Sequence, residues 1–212
     1  MNWSPQPAQA PKPGAKKTPA KASPGKPAAG SAKPAGVGGT PEQKAITAIE
    51  AAGGAVRKLA QNDDRAEIDF HLQGASVTDE QIAAIKDVQK VTGLHLGNTG
   101  VTDRGLAHVA GLTGLTNLHL EKTKVTDAGL KHLQNLKELT YLNLYGTGVT
   151  DAGLGHLKGL SKLQKLFLWQ TKATKTGAED LKQAIAGLDV NLGWEEAAAK
   201  PAEPAKPEGE KK

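Results

Sequence analysis

Apolar positions along this chain come in short pairs separated by one polar residue, and the pairs return every 24 residues. They are Phe70/Leu72, Leu94/Leu96, Leu118/Leu120, Leu142/Leu144, Leu166/Leu168 and Val190/Leu192. A second phrase keeps the same interval: Val77-Thr78-Asp79, Val101-Thr102-Asp103, Val125-Thr126-Asp127, Val149-Thr150-Asp151 and a weakened Ala173-Thr174-Lys175. The two-residue alternation predicts a strand whose leucines point to one side. Leu130, Leu133 and Leu136, at helical spacing, predict the inner face of a return helix. A fixed period in the twenties predicts a solenoid, in which each unit buries its apolar face only against its neighbours.

Each repeat therefore reads as strand, turn, helix and return. Thr99, Thr123, Thr147 and Thr171 share the turn position, where a hydroxyl is expected to tie the turn to the next coil. Thr126 is expected to cap a helix whose first turn bears Asp127, favourable at the positive helix end. Thr78 and Gln81 form a fuller capping box in the first copy. Ahead of the repeats, Thr40-Pro41-Glu42-Gln43 predicts a capped helix, with a stripe of Ala45, Ile46, Ala48, Ile49 and Ala52 and a stop at Gly53-Gly54. Ala55 to Leu59 and Ala66 to Leu72 are expected to form two strands around a turn at Asn62-Asp63-Asp64-Arg65. The expected organisation is a Pro/Ala/Lys-rich disordered arm over 1–39 and a helix-strand cap over 40–65. Repeats follow over 66–194, and a disordered charged tail over 195–212.

The run Leu-x-x-Leu-x-Leu-x-x-Thr-x-Val-Thr-Asp-x-Gly-Leu-x-x-Leu resembles the leucine-rich repeat family over roughly residues 66 to 194. It is most similar to the bacterial type with Val-Thr-Asp-x-Gly-Leu-x-x-Leu repeats and to the repeats of F-box proteins. Threonine stands where many members place Asn or Cys, and no F-box-like segment is present, so a ubiquitin-ligase role does not carry over. The resemblance implies an α/β, right-handed horseshoe with a parallel sheet on the concave side and helices on the convex side. Geometry agrees, because strands stack about 4.8 Å apart and helices need about 8–10 Å, so the coil bends toward its strands.

Composition changes this picture mainly at the ends. All 12 prolines lie outside the repeats. Residues 1–40 carry six lysines and no acid, and residues 195–212 carry five glutamates and four lysines. The total of +5 less +6 and −1 leaves the body neutral. A neutral body argues against the broad basic face that duplex nucleic acid needs. With no cysteine there is no disulfide, thiol nucleophile or cysteine metal site. No apolar run approaches the ~20 residues of a membrane span. As the chain stands a cytoplasmic location is expected, or export and the cell envelope if the true start lies upstream of Met1.

If the strand leucines point inward, three registers line the concavity. They read Asp69, Gly93, Asn117, Tyr141, Lys165, Asp189; then His71, His95, His119, Asn143, Phe167, Asn191; then Gln73, Gly97, Glu121, Tyr145, Trp169, Gly193. Only seven aromatic residues occur in the chain, and Tyr141, Tyr145, Phe167 and Trp169 all fall here in two adjacent repeats. With Asn143, Lys165 and Trp194 they form the expected docking site for a protein partner, clustered aromatics being common anchors of recognition. The structural alternative is that Tyr145 and Trp169 are a cross-strand pair and that Trp194 seals the core. His71, His95 and His119, with Glu121, have the placement of a Zn²⁺ site. A second ladder, His108, His132 and His156, repeats in the helices, which shows histidine duplicating with the repeat unit and needing no ligand. No catalytic triad or phosphate loop is present, so no enzyme activity is expected; no metal, no cofactor and a monomer are expected as well. The alternative function is nucleic-acid or anionic-surface binding through the lysines of the arm, Lys12 to Lys33.

Overall fold

The computed structural model describes residues 39–60 and 63–193, all within one compact unit. Trp194, the expected tail over 195–212 and all but the last residue of the expected arm over 1–39 lie outside the described residues.

Helix α1, Pro41–Ala51, opens on Thr40, whose Oγ1 accepts the N–H of Gln43 at 3.3 Å. Its Ala45 and Ile49 enter the core. Gly53, at φ +84°, turns the chain into β1, Ala55–Ala60, which pairs antiparallel with β2, Asp63–Asp69. From β2 onward every pairing is parallel and in chain order: β3 (Val91–His95), β4 (Asn117–His119), β5 (Tyr141–Asn143), β6 (Lys165–Phe167) and β7 (Asp189–Asn191). Helices α2 (Asp103–Val109), α3 (Asp127–Leu130), α4 (Asp151–Leu154) and α5 (Lys175–Ala184) lie on the return segments. The result is an α/β solenoid of leucine-rich-repeat type.

One register carries the core. Leu94, Leu118, Leu142, Leu166 and Val190 stand side by side across five strands. Behind them Val101, Val125 and Val149, then Leu106, Leu130 and Leu154, form parallel rows that are buried almost completely. Each such side chain withdrawn from water contributes about 1.5–3 kcal/mol, and the rows join in one continuous core in which each coil packs against its neighbours.

The first copy departs from the expected beat. Ile68 pairs with Leu94, and Phe70 N–H donates to His95 O as Leu96 N–H donates to His119 O. The inward pair is thus Ile68/Phe70, and Leu72 stands 80% exposed in a 3₁₀ turn, His71–Ser76. The cause is local. Asp69 Oδ1 accepts the N–H of His71 at 2.9 Å, which ends the strand and starts the turn. Strand β2 likewise begins three residues early, because Asp63 holds the backbone and guanidinium of Arg65.

The middle helices are shorter than the leucine spacing predicts. After α3 and α4 the chain tightens into 3₁₀ turns, Lys131–Leu133 and Gly155–Leu157. The turn threonines also act differently from expectation. Thr99, Thr123, Thr147 and Thr171 donate to the carbonyl three residues earlier in their own coil, at 2.6–2.7 Å. The coil-to-coil bond is backbone: Gly100 N–H to Val77 O, Lys124 to Val101, Gly148 to Val125 and Lys172 to Val149.

The Val-Thr-Asp phrase is an interlock between repeats. Asp79 accepts both the N–H and the hydroxyl of Thr102, at 2.8 and 2.6 Å. Asp103 does the same for Thr126, Asp127 for Thr150 and Asp151 for Thr174. The glycine two residues past each receiving aspartate position makes room for the clamp. A Cβ on Gly105 or Gly129 would stand 2.5 Å from the preceding carboxylate, and Gly153 and Gly177 would collide with Asp127 and Asp151.

Candidate functional site

The sheet face turned away from the helices is built by the residues between the buried leucines. Here the registers shift by two in β2: Glu67 pairs with Gly93 and Asp69 with His95. His71 therefore leaves the histidine register. Its Nδ1 lies 2.5 Å from Asp69 Oδ1, half-exposed on the turn beyond the strand. His95 and His119 do stand side by side, with ring centroids 4.2 Å apart and planes at 14°. Glu121 Oε2 lies 3.6 Å from His119 Nδ1. Among the described residues no group of three or more His, Asp or Glu side chains is arranged to hold a metal ion.

Rings then continue across the face in two rows. His119 meets Tyr141 at 4.7 Å and Tyr141 meets Phe167 at 5.4 Å, both tilted. Nearer the strand ends Tyr145 and Trp169 stack at 5.1 Å and 20°, with Lys122 Nζ 5.5 Å from the Tyr145 centroid. Tyr145 and Trp169 thus do stack as a pair, in the adjacent turns just past β5 and β6, and the stack still leaves Trp169 49% exposed. Trp169 is held from its other side by Gly193, where an added Cβ would collide with the indole.

Polar members of the site have settled roles. Asn143 Oδ1 accepts the N–H of Tyr145 at 3.1 Å, so it fixes the turn that presents the Tyr145 ring. Asn191 repeats the device on Gly193. Lys165 is exposed in β6, beside Tyr141 and Asp189 in the register. Trp194 lies outside the described residues.

Charge is unevenly spread over the face. Burial works to raise the Asp69 carboxyl, but hydrogen bonds from the backbone and ring of His71 hold it below its ordinary value. Burial works the same way on Glu121, and the contact with His119 and its own backbone N–H outweigh it, again leaving it low. His95 is pushed down by burial and then by His119. Tyr141 is pushed up by burial and then by the Glu121 charge.

Sequence reasoning missed Glu67 as a member of this face, set Asp69 beside Gly93 where it pairs with His95, and missed Lys122. For the first two, the signal was available in Asp69-Phe70-His71, where an acid two residues before a histidine ends a strand as readily as it continues one. No signal singled out Lys122, which belongs to the turn row rather than to a strand.

No protein-family model and no curated protein sequence matches the chain. Similar solved structures include an internalin from Listeria monocytogenes, 22% identical, covering 51% of this chain and 30% of that one, TM-score 0.44. An internalin C2 from the same organism is 29% identical, covering 51% of this chain and 44% of that one, TM-score 0.44. The leucine-rich-repeat ectodomain of the receptor kinase SOBIR1 from Arabidopsis thaliana is 14% identical, covering 71% and 90%, TM-score 0.44. The matched stretch spans less than half the length of either internalin. Among the described residues no helix is long and apolar enough to cross a membrane.

Proposed function

We propose that this chain is a non-enzymatic protein-binding module of the bacterial Val-Thr-Asp-x-Gly-Leu repeat type. It takes a protein partner on the open sheet face of its last repeats, through Tyr141, Asn143, Tyr145, Lys165, Phe167 and Trp169. The observation that carries this reading is Trp169: a large ring 49% exposed yet fixed between Tyr145 and Gly193. A fixed aromatic loses little freedom on docking, which is what makes such residues interface anchors. The adjoining rings of Tyr141 and Phe167 widen the apolar ground, and Lys165 supplies a charged rim.

The test is capture of the partner from lysate of the source cells by the immobilised chain. Tyr145→Ala with Trp169→Ala is expected to weaken capture at least tenfold, the loss of about 1.4 kcal/mol or more that hot-spot residues carry. The circular dichroism spectrum should be unchanged. Equal capture by both proteins refutes the site.

A second reading rests on the six lysines without an acid in residues 1–40. It predicts DNA retention at low salt that falls steeply as salt rises and vanishes when residues 1–39 are removed. Retention that survives the deletion would exclude it.

A further inference from the structure

The cluster of His95, His119 and Glu121 is unused by the docking reading, yet it contains an anomaly. Among the buried side-chain nitrogen and oxygen atoms of the described residues, Glu121 Oε2 is left without a hydrogen-bond partner. The carboxylate lies over Gly97, in the space that a Cβ there would fill. Its natural donor is the His119 Nδ1, but at 3.6 Å the two are beyond hydrogen-bond range. The His119 ring is engaged elsewhere, with His95 on one side at 4.2 Å and Tyr141 on the other at 4.7 Å.

We infer that this cluster is a proton-operated latch on the open face. Proton uptake by His119 turns its ring toward Glu121 Oε2 and out of the stack that joins His95 to Tyr141. An imidazolium donates from both nitrogens, and its bond to a carboxylate is short and charge-assisted. Such a bond is stronger than the offset stacking it replaces.

The surroundings fit a single proton. On β3, His95 is held below its ordinary value by burial and by His119, so a second imidazolium at 4.2 Å is disfavoured. One strand further, Glu67 and Asp69 face His95, and Asp69 is engaged by His71. Glu121 itself stays anionic from pH 7.5 to 5.5: burial works to raise its carboxyl, but His119, its own backbone N–H and His95 together hold it below its ordinary value. On β5 the facing group is Tyr141, and Lys122 beside Glu121 is directed over the Tyr145 ring. The latch moves the edge of the docking face at Tyr141, so its consequence rests on the docking reading, whereas its motion belongs to the free chain.

The test uses that independence. In the intact chain without partner, nuclear magnetic resonance follows the Tyr141 ring protons and the His95 and His119 ring protons from pH 7.5 to 5.5. The Tyr141 signals should move with the midpoint of His119. His119→Asn is the control, since Asn143 and Asn191 occupy the same register on β5 and β7 and cap the residue two further on. In that variant the Tyr141 movement should fall to less than a third, and Glu121→Gln should at least halve it. Tyr141 signals that stay flat in the parent chain, or that move as far in His119→Asn, overturn the latch. If Tyr145→Ala with Trp169→Ala leaves partner capture intact, the docking reading falls and the titration still decides the latch.

Discussion

Two oxygen atoms per repeat hold the coils in register. Asp127 serves both the N–H and the hydroxyl of Thr150, at 2.7 and 2.6 Å, while Gly153 keeps the space beside it clear. Hydrogen bonds to a charged group contribute about 1.5–3 kcal/mol, so Asp127→Ala should cost about that much. Gly153→Ala should also destabilise, because its Cβ occupies the position of the carboxylate. Together they should cost clearly less than the sum of the two, since removing the carboxylate frees the room the methyl needs. Urea unfolding of the four proteins measures this, and strict additivity would show that the glycine serves another purpose. The same reasoning explains why the motif changes at its ends. Gln81 stands in the glycine place of the first copy, where no earlier aspartate intrudes, and its Oε1 is free to bond Thr78. Lys175 replaces aspartate in the last copy, whose Thr174 already receives the Asp151 clamp.

At the level of elements, strands β3 and β4 meet through stacked imidazoles, and this contact is sensitive to acid. His95 is held below its ordinary value, by burial first and by His119 next. On acidification the unfolded chain takes up that proton before the folded one. The stabilisation is therefore complete above the unfolded value of 6.5 and is lost as pH falls through the folded value. Glu121, also held low, adds a second loss with the same sign, complete above 4.5 and lost as pH falls through its folded value. The urea midpoint should thus fall from pH 7.5 to 5.0, and His95→Asn should remove the part of the fall nearest pH 6. An unchanged slope in that variant would place the sensitivity elsewhere. These elements also mark how far the sequence could be read. The leucine and valine rows fix β3 to β7, because a one-residue slip would turn every buried side chain outward. The cap was harder. Ile68/Phe70 and Phe70/Leu72 both alternate correctly, and only the Asp69 bond to His71 N–H decides between them. The aromatic members of the open face followed from the register alone. The stacking of their rings, and the stranded oxygen of Glu121, depend on rotamers that no pattern of residue types specifies.

For the molecule as a whole, stability is the sum of repeats and of the interfaces between them. The interfaces clamped by Asp79, Asp103, Asp127 and Asp151 share the same parts: a strand ladder, a leucine row, a backbone bond ahead of the Val-Thr-Asp phrase and one aspartate clamp. An extra copy of residues 125–148 inserted after Gly148 would supply all of them. Its Val125 would follow Gly148 as Val149 does, its Thr126 would receive the carboxylate of the original Asp127, and its own aspartate would clamp Thr150. Its tyrosines would extend both ring rows, with the second Tyr145 placed between the first and Trp169. The lengthened chain should fold, melt no lower than the parent and show a larger dependence on urea, in proportion to the added buried surface. A lower melting temperature with an unchanged urea dependence would mean that the copies are not interchangeable. The differences among repeats, His95 and His119 against Tyr141, Phe167 and Trp169, would then be needed for assembly as well as for recognition. If the insertion is accepted, those differences are free of the fold. The change from histidine to aromatic rings along the open face is then a feature of what the face binds.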